Sequence, residues 1–169
     1  MSKELIERFT KDGSLAQKNL MVKTTKGENF RAVADFGKVK FQTDAPAGLG
    51  GNDDGPSPLL VILGVIGQCY CTVTRFWSQK MDVEINALDV LVRGQIDLRN
   101  LLGMQDGPVG YSNINIRVKA KGPDTEKIRK LLDAVRTHCP IFEMIQATKC
   151  KLEIDAKAYN PGENLDQEA

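Results

Sequence analysis

The chain has 169 residues, 41% hydrophobic and 27% charged, the composition of a globular domain able to bury a core of its own. Lys and Arg number 23 against 22 Asp and Glu, a net charge of +1 that sets up no field for nucleic acid or an anionic membrane surface. The opening MSKELIERFTKDG is too charged to read as a signal peptide, and the one strongly apolar run, Leu59 to Gly67, falls well short of the ~20 residues of a bilayer span; a cytoplasmic chain with no membrane partner is expected.

A short helix is expected over residues 3–9. Three strand-like runs follow, at 19–25, 29–35 and 38–43, alternating polar and apolar residues around turns at Lys26-Gly27-Glu28 and Phe36-Gly37. The segment DAPAGLGGNDDGPSP, residues 44–58, is rich in glycine, proline and aspartate. It reads as a loop within a single domain spanning 1–169, because neither flank is long enough to fold alone.

A long helix then runs from Ser57 or Pro58 to Lys80. Ser57 suits the N-cap, and Pro58 at the first helical position gives up only an amide that has no partner there. The first half of this helix is apolar on every face, which predicts a buried central helix. Strands are expected over 83–98 and 111–121, with a glycine-containing loop at 99–110. Residues 124–136 have helical spacing, with Ile128, Leu131, Leu132 and Val135 on one stripe. A short helix over 141–147, a strand over 151–159 and a frayed tail, NPGENLDQEA, close the chain. Strands and helices come in blocks without strict alternation, so the fold class is α+β.

Four cysteines occur, at 69, 71, 139 and 150. Without a secretory signal they do not predict a disulfide framework. Nor do they predict zinc: Cys69 and Cys71 form a CxC pair, and the single histidine, His138, adjoins Cys139. No metal and no cofactor are expected. On a helix Cys69 and Cys71 lie about 200° apart, so only one of them faces a given pocket. Cys69 shares the stripe of Ile62, Ile66, Val73 and Phe76, whereas Cys71 falls with Gly64, Gly67 and Thr74. Cys71 and Cys150 read as core thiols, Phe76 and Trp77 as core or interface, and His138 as a partner for helix-terminal carbonyls. Cys139-Pro140 differs from the rest, because Pro140 at a first helical position makes Cys139 an N-cap, where free amides and the helix dipole favour a thiolate.

Taken together, GGNDDGPSPLLVILGVIGQC and, further on, HCPIFEMI resemble the OsmC/Ohr family of thiol peroxidases, as does VADFGKVKFQTDAPAGLGG with its D-x-P…GG loop. The spacing from Pro58 to Cys69 matches the family's peroxidatic cysteine, and Cys139-Pro140 matches its resolving cysteine. The resemblance covers about residues 27–158, leaving an N-terminal extension at 1–18 and the tail at 160–169. It implies antiparallel sheets around the buried helix and an intertwined homodimer with pockets at the subunit interface.

The implied activity is reduction of organic hydroperoxides through a Cys69 sulfenic acid, resolved by Cys139 as a disulfide and recycled by an external thiol or dithiol, of lipoyl type among the candidates. Relatives place an arginine in the strands before the D-x-P loop to lower the thiol pKa; Arg31 is the only arginine there and takes that role. They hold it with a glutamate just after the helix-opening proline. Here that position is Leu59, which leaves Asp53 or Asp54 to anchor the arginine. The missing glutamate also supports a second reading, a non-catalytic dimer of the same fold that binds a small apolar or thiol-bearing ligand.

Overall fold

The computed structural model describes residues 3–163. The chain forms two compact units, divided between Ile62 and Leu63. In the first, helix α1 (Lys3–Lys11) leads through a 3-10 turn at Gly13–Ala16, capped by the Asp12 side chain, to three short antiparallel strands. These are β1 (Lys23–Lys26), β2 (Ala32–Asp35) and β3 (Lys40–Thr43), ordered β1-β2-β3 with Lys26 opposite Ala32 and Ala32 opposite Thr43. The strands are shorter than their alternation predicted. Pairing ends where the four-residue β2 ends, so Leu20 and Met21, which continue the apolar pattern, stand in solvent.

Helix α2 (Pro58–Met81) starts as expected: the Ser57 hydroxyl accepts from the Leu60 amide and the Ser57 carbonyl from the Val61 amide. In the second unit its buried residues, Ile66, Tyr70 and Val73 among them, join the core built on a three-stranded sheet. That sheet comprises β4 (Ala87–Gln95), β5 (Asn113–Lys121) and β6 (Lys151–Tyr159), in the order β4-β5-β6. Central β5 shows strict alternation, with Ile114, Ile116, Val118 and Ala120 all buried. Helix α4 (Thr125–His138), N-capped by Asp124, buries its predicted stripe of Ile128, Leu131, Leu132 and Val135 against the same core. Gly94 is required where it stands, since a Cβ there would lie 2.6 Å from the Tyr111 ring.

Three expectations need correction. The second sheet is mixed: β4 and β5 pair antiparallel, but β5 and β6 are parallel. Parallel neighbours need a crossover, and α4 with the short α5 (Pro140–Gln146) supplies it. Within the expected 99–110 loop and the strand before it, residues Leu98–Leu101 form a one-turn helix, α3, N-capped by Asp97; four residues are too few to leave a periodic signal.

The third correction concerns α2, which is not buried all round. Leu60, Ile62, Val65 and Phe76 are exposed, and only 22% of its most apolar window is covered. In the second unit the sheet, α4 and α5 pack against its buried residues Ile66, Tyr70 and Val73. By length and composition α2 is also apolar enough to cross a membrane, which the nine-residue run did not suggest. Residues 160–163 are held, with the Asn160 side chain and amide on the Glu163 carboxylate, while the rest of the expected frayed tail lies outside the described residues.

Candidate active site

Helix α4 must stop before Pro140, because the proline ring disfavours helical backbone at the preceding residue. Cys139 accordingly takes an extended conformation, φ −82° and ψ 113°, and is at once the C-cap of α4 and the N-cap of α5. Its thiol makes no hydrogen bond to the helix it caps. It turns toward α2 instead, where its Sγ lies 3.8 Å from Cys69 Sγ. Phe142 holds α5 in place: it is buried, with its ring 5.6 Å from that of Tyr70, the neighbour of Cys69 on α2. Tyr70, next to Cys69, and Phe142, three residues after Cys139, thus pack ring against ring near the thiol contact.

The two sulfurs are close but unbonded, and all four cysteines are free thiols. A disulfide bond of about 2.05 Å would require the pair to close by roughly 1.8 Å. Burial pushes the Cys69 thiol up from its ordinary pKa, and Cys139 adds to the rise; the backbone amide of Ile141, in the first turn of α5, acts the other way. The α5 amide therefore favours charge on Cys69, where the sequence had pointed to Cys139. Burial also raises Cys71 and Cys150. Neither takes part in the Cys69–Cys139 contact, and both are only partly buried.

His138 contacts its own helix and Trp77. Its Nδ1 lies 2.8 Å from the Ala134 carbonyl oxygen, the carbonyl-satisfying role expected of it, and its ring sits 4.2 Å from that of Trp77. Lys80 Nζ lies 4.0 Å from the same indole, so Trp77 joins α2 to the end of α4. Among the described residues no group of three or more His, Cys, Asp or Glu side chains is arranged to hold a metal ion.

Arg31 belongs to the first unit. Its guanidinium lies 2.6 Å from the Glu28 carboxylate and 3.6 Å from that of Asp54, while its buried Nε has no partner. Of the two acids expected to anchor it, Asp54 is the one in reach; the Asp53 carboxylate accepts from the Ala47 amide. What holds Asp54 is a residue the sequence reading passed over. Asp44 is fully buried, and its carboxylate accepts from the amides of Ala45, Asn52 and Asp54 at 2.9, 2.8 and 3.3 Å. Those amides, that of Asn52 first, hold its pKa below the ordinary carboxylate value against the opposing effect of burial. Gly51 allows the same loop to close, since a Cβ there would fall 1.8 Å from the Ala45 carbonyl oxygen. The Asp-x-Pro and Gly-Gly pair was the available signal: an acid placed to collect the amides of the turn that follows.

An α+β chain with two free thiols in contact, one on a long helix and one at a Cys-Pro helix start, defines a class of dithiol proteins. Comparison with known proteins places it more narrowly. Residues 50–155 match the family model described as OsmC-like protein. An uncharacterized protein of Acinetobacter baylyi is 25% identical over 134 residues, 79% of this chain and 87% of that one. An OsmC-like protein from Mycoplasma pneumoniae superposes with a TM-score of 0.71 at 20% identity, covering 85% of this chain and 98% of the other. An organic hydroperoxide resistance protein from Elizabethkingia anophelis gives 0.63 at 17% identity, covering 85% and 99%. The chain belongs to the OsmC-like protein family.

Proposed function

We propose that the protein is a thiol peroxidase that reduces organic hydroperoxides through Cys69 and Cys139. The observation that carries this reading is the 3.8 Å contact between the two thiols, in a chain whose structural neighbours include organic hydroperoxide resistance proteins. The Cys69 thiolate attacks the O–O bond; its sulfur gains OH as a sulfenic acid, and the departing alkoxide takes a proton from water to leave as the alcohol. The Cys139 thiolate then attacks that sulfur, the S–S bond forms, and hydroxide leaves as water. An external dithiol of lipoyl type returns both thiols and is itself oxidised to a disulfide.

Cys69 needs a cation to offset the burial that keeps it protonated, and we assign that role to Arg31, held by Asp54. The apolar residues around the pair, among them Ile66 and Ile141, favour a peroxide with an organic tail over hydrogen peroxide. The exposed apolar face of α2 supports a homodimer in which a second copy covers it, and we place that dimer in the cytoplasm. A stable monomer of 18.6 kDa in light scattering would remove that part.

The competing reading, a non-catalytic dimer that binds a small apolar or thiol-bearing ligand, is favoured by one observation, the raised pKa of Cys69. A coupled assay with cumene hydroperoxide and hydrogen peroxide, using a dithiol reductant, separates the two. Turnover that prefers cumene hydroperoxide and disappears in Cys69→Ser is expected. Peptide mapping should then find a Cys69–Cys139 disulfide with Cys71 and Cys150 free. Four free thiols after peroxide treatment would favour the non-catalytic reading.

A further inference from the structure

Tyr70 presents a problem that the thiol chemistry leaves unsolved. The residue is fully buried, yet its hydroxyl has no hydrogen-bond partner. Buried phenols normally find one. Burial, reinforced by Cys139 and Asp133, pushes the phenol pKa far up, so Oη remains a donor at any physiological pH. Tyr70 also lines a cavity of about 270 Å³ between α4 and the edge strand β6. The α4 side consists of Arg129, Leu132, Asp133 and Arg136, which recur at three- and four-residue spacing along one face, and Ile154 contributes from β6.

The cavity wall therefore has two parts. Leu132 and Ile154 make an apolar surface, while Arg129 and Arg136 bring two positive charges that Asp133 and the nearby Glu126 balance. Arg129 is shared with Glu126 at 3.3 Å, but Arg136 makes no ion pair among the described residues. One guanidinium without an ion pair, that of Arg136, beside an unpaired donor suits a monoanion with two acceptor oxygens, and Asp133 disfavours a phosphate dianion there. At about 30 Å³ per water-sized group, the volume holds roughly nine non-hydrogen atoms.

We propose that this cavity is a binding site for a small monocarboxylate with a short apolar chain. The carboxylate takes the Tyr70 hydroxyl and the Arg136 guanidinium, with Arg129 in support, and the chain lies on Leu132 and Ile154. The site uses neither Cys69 nor Cys139 and does not depend on the peroxidase reading.

The test is calorimetry on the reduced full-length protein with hexanoate, hexanol and inorganic phosphate as probes. Saturable hexanoate binding is expected, with little or none for the other two. Tyr70→Phe keeps the ring and its packing on Phe142 while removing only the hydroxyl, and should weaken hexanoate about tenfold, as loss of a hydrogen bond to a charged group does. Arg136→Gln, on the surface of α4, should do the same. A Cys69→Ser/Cys139→Ser double variant should bind as tightly as the parent, which separates this site from the thiols. Circular dichroism establishes that each variant is folded. Absence of saturable binding, phosphate binding as tight as hexanoate, or hexanoate binding unchanged in both Tyr70→Phe and Arg136→Gln would overturn the proposal. So would a crystal soaked in hexanoate that shows only water on Tyr70 Oη.

Discussion

Asp44 and Cys69 are both ionisable groups withdrawn from water, and the chain treats them in opposite ways. Around Asp44, three backbone amides converge on the carboxylate, so the charged form is the stable one and its pKa falls. Around Cys69, one amide acts against burial and a neighbouring thiol, and the pKa rises. The first region is held by polar bonds to a fixed charge. The second is held by ring packing around a sulfur that is neutral at rest. A charge that must persist is built into loop backbone, whereas one needed only during reaction is left to be supplied.

Each side of that contrast can be broken by substitution, and the largest effect is expected where packing dominates. Phe142→Ala removes a buried ring that seats α5 on Tyr70, and should cost about 3–5 kcal/mol in urea unfolding. Disulfide formation between Cys69 and Cys139 should slow with it, because α5 carries the contact. A loss below about 1 kcal/mol would mean that α5 is not held by this stack.

On the polar side, Asp44→Asn keeps the shape of the side chain but not its charge, and should lower the thermal midpoint by several degrees at neutral pH. The pH dependence gives a sharper reading. The folded carboxyl has a depressed pKa, so its contribution is complete above the unfolded value of about 3.9 and is lost as pH falls through the lower folded value. The parent should therefore lose stability below about pH 4 more steeply than Asp44→Asn. Parallel curves would show that the amides do not favour the charge.

How much of this was legible beforehand follows the same division. The helices α2 and α4, the strand β6 and the order of the two cysteines could be read from apolar spacing, the Ser57-Pro58 start and the Cys139-Pro140 break, all of them local signals. Cys69–Cys139 proximity entered only through family resemblance, since residues 70 apart carry no local signal of contact. Asp44 was passed over because its three amide donors lie up to ten residues away along an irregular loop. Full burial of α2 was expected from an apolar circumference, but composition states what a helix can bury and not what is present to cover it.

A smaller effect concerns the thiols. The midpoint for alkylation of Cys69 should lie above the usual thiol value. In Cys139→Ala it should move down yet stay raised, because burial is the larger cause and the neighbouring thiol the lesser. The fold favours the neutral thiol, so this group's contribution to stability is complete below the unfolded thiol pKa and is lost as pH rises through the higher folded one. A midpoint unmoved by Cys139→Ala would separate two sulfurs that the geometry couples.

The smallest effect on stability is expected at Arg31, and there the contrast between the two regions becomes a question of function. Its ion pairs with Glu28 and Asp54 involve side chains 85% and 46% exposed, and such pairs contribute about 0–1 kcal/mol. Arg31→Ala should therefore leave the thermal midpoint nearly unchanged. If Arg31 supplies the charge that Cys69 lacks, the same substitution should move the Cys69 alkylation profile to higher pH and slow the reaction with cumene hydroperoxide. Arg31→Lys should restore part of both, since a cation returns without the planar fork. Asp54→Asn should give a weaker version of the Arg31→Ala result, acting only through the position of the guanidinium. An alkylation profile identical in the parent and Arg31→Ala would leave Cys69 without its proposed cation and return weight to the non-catalytic reading.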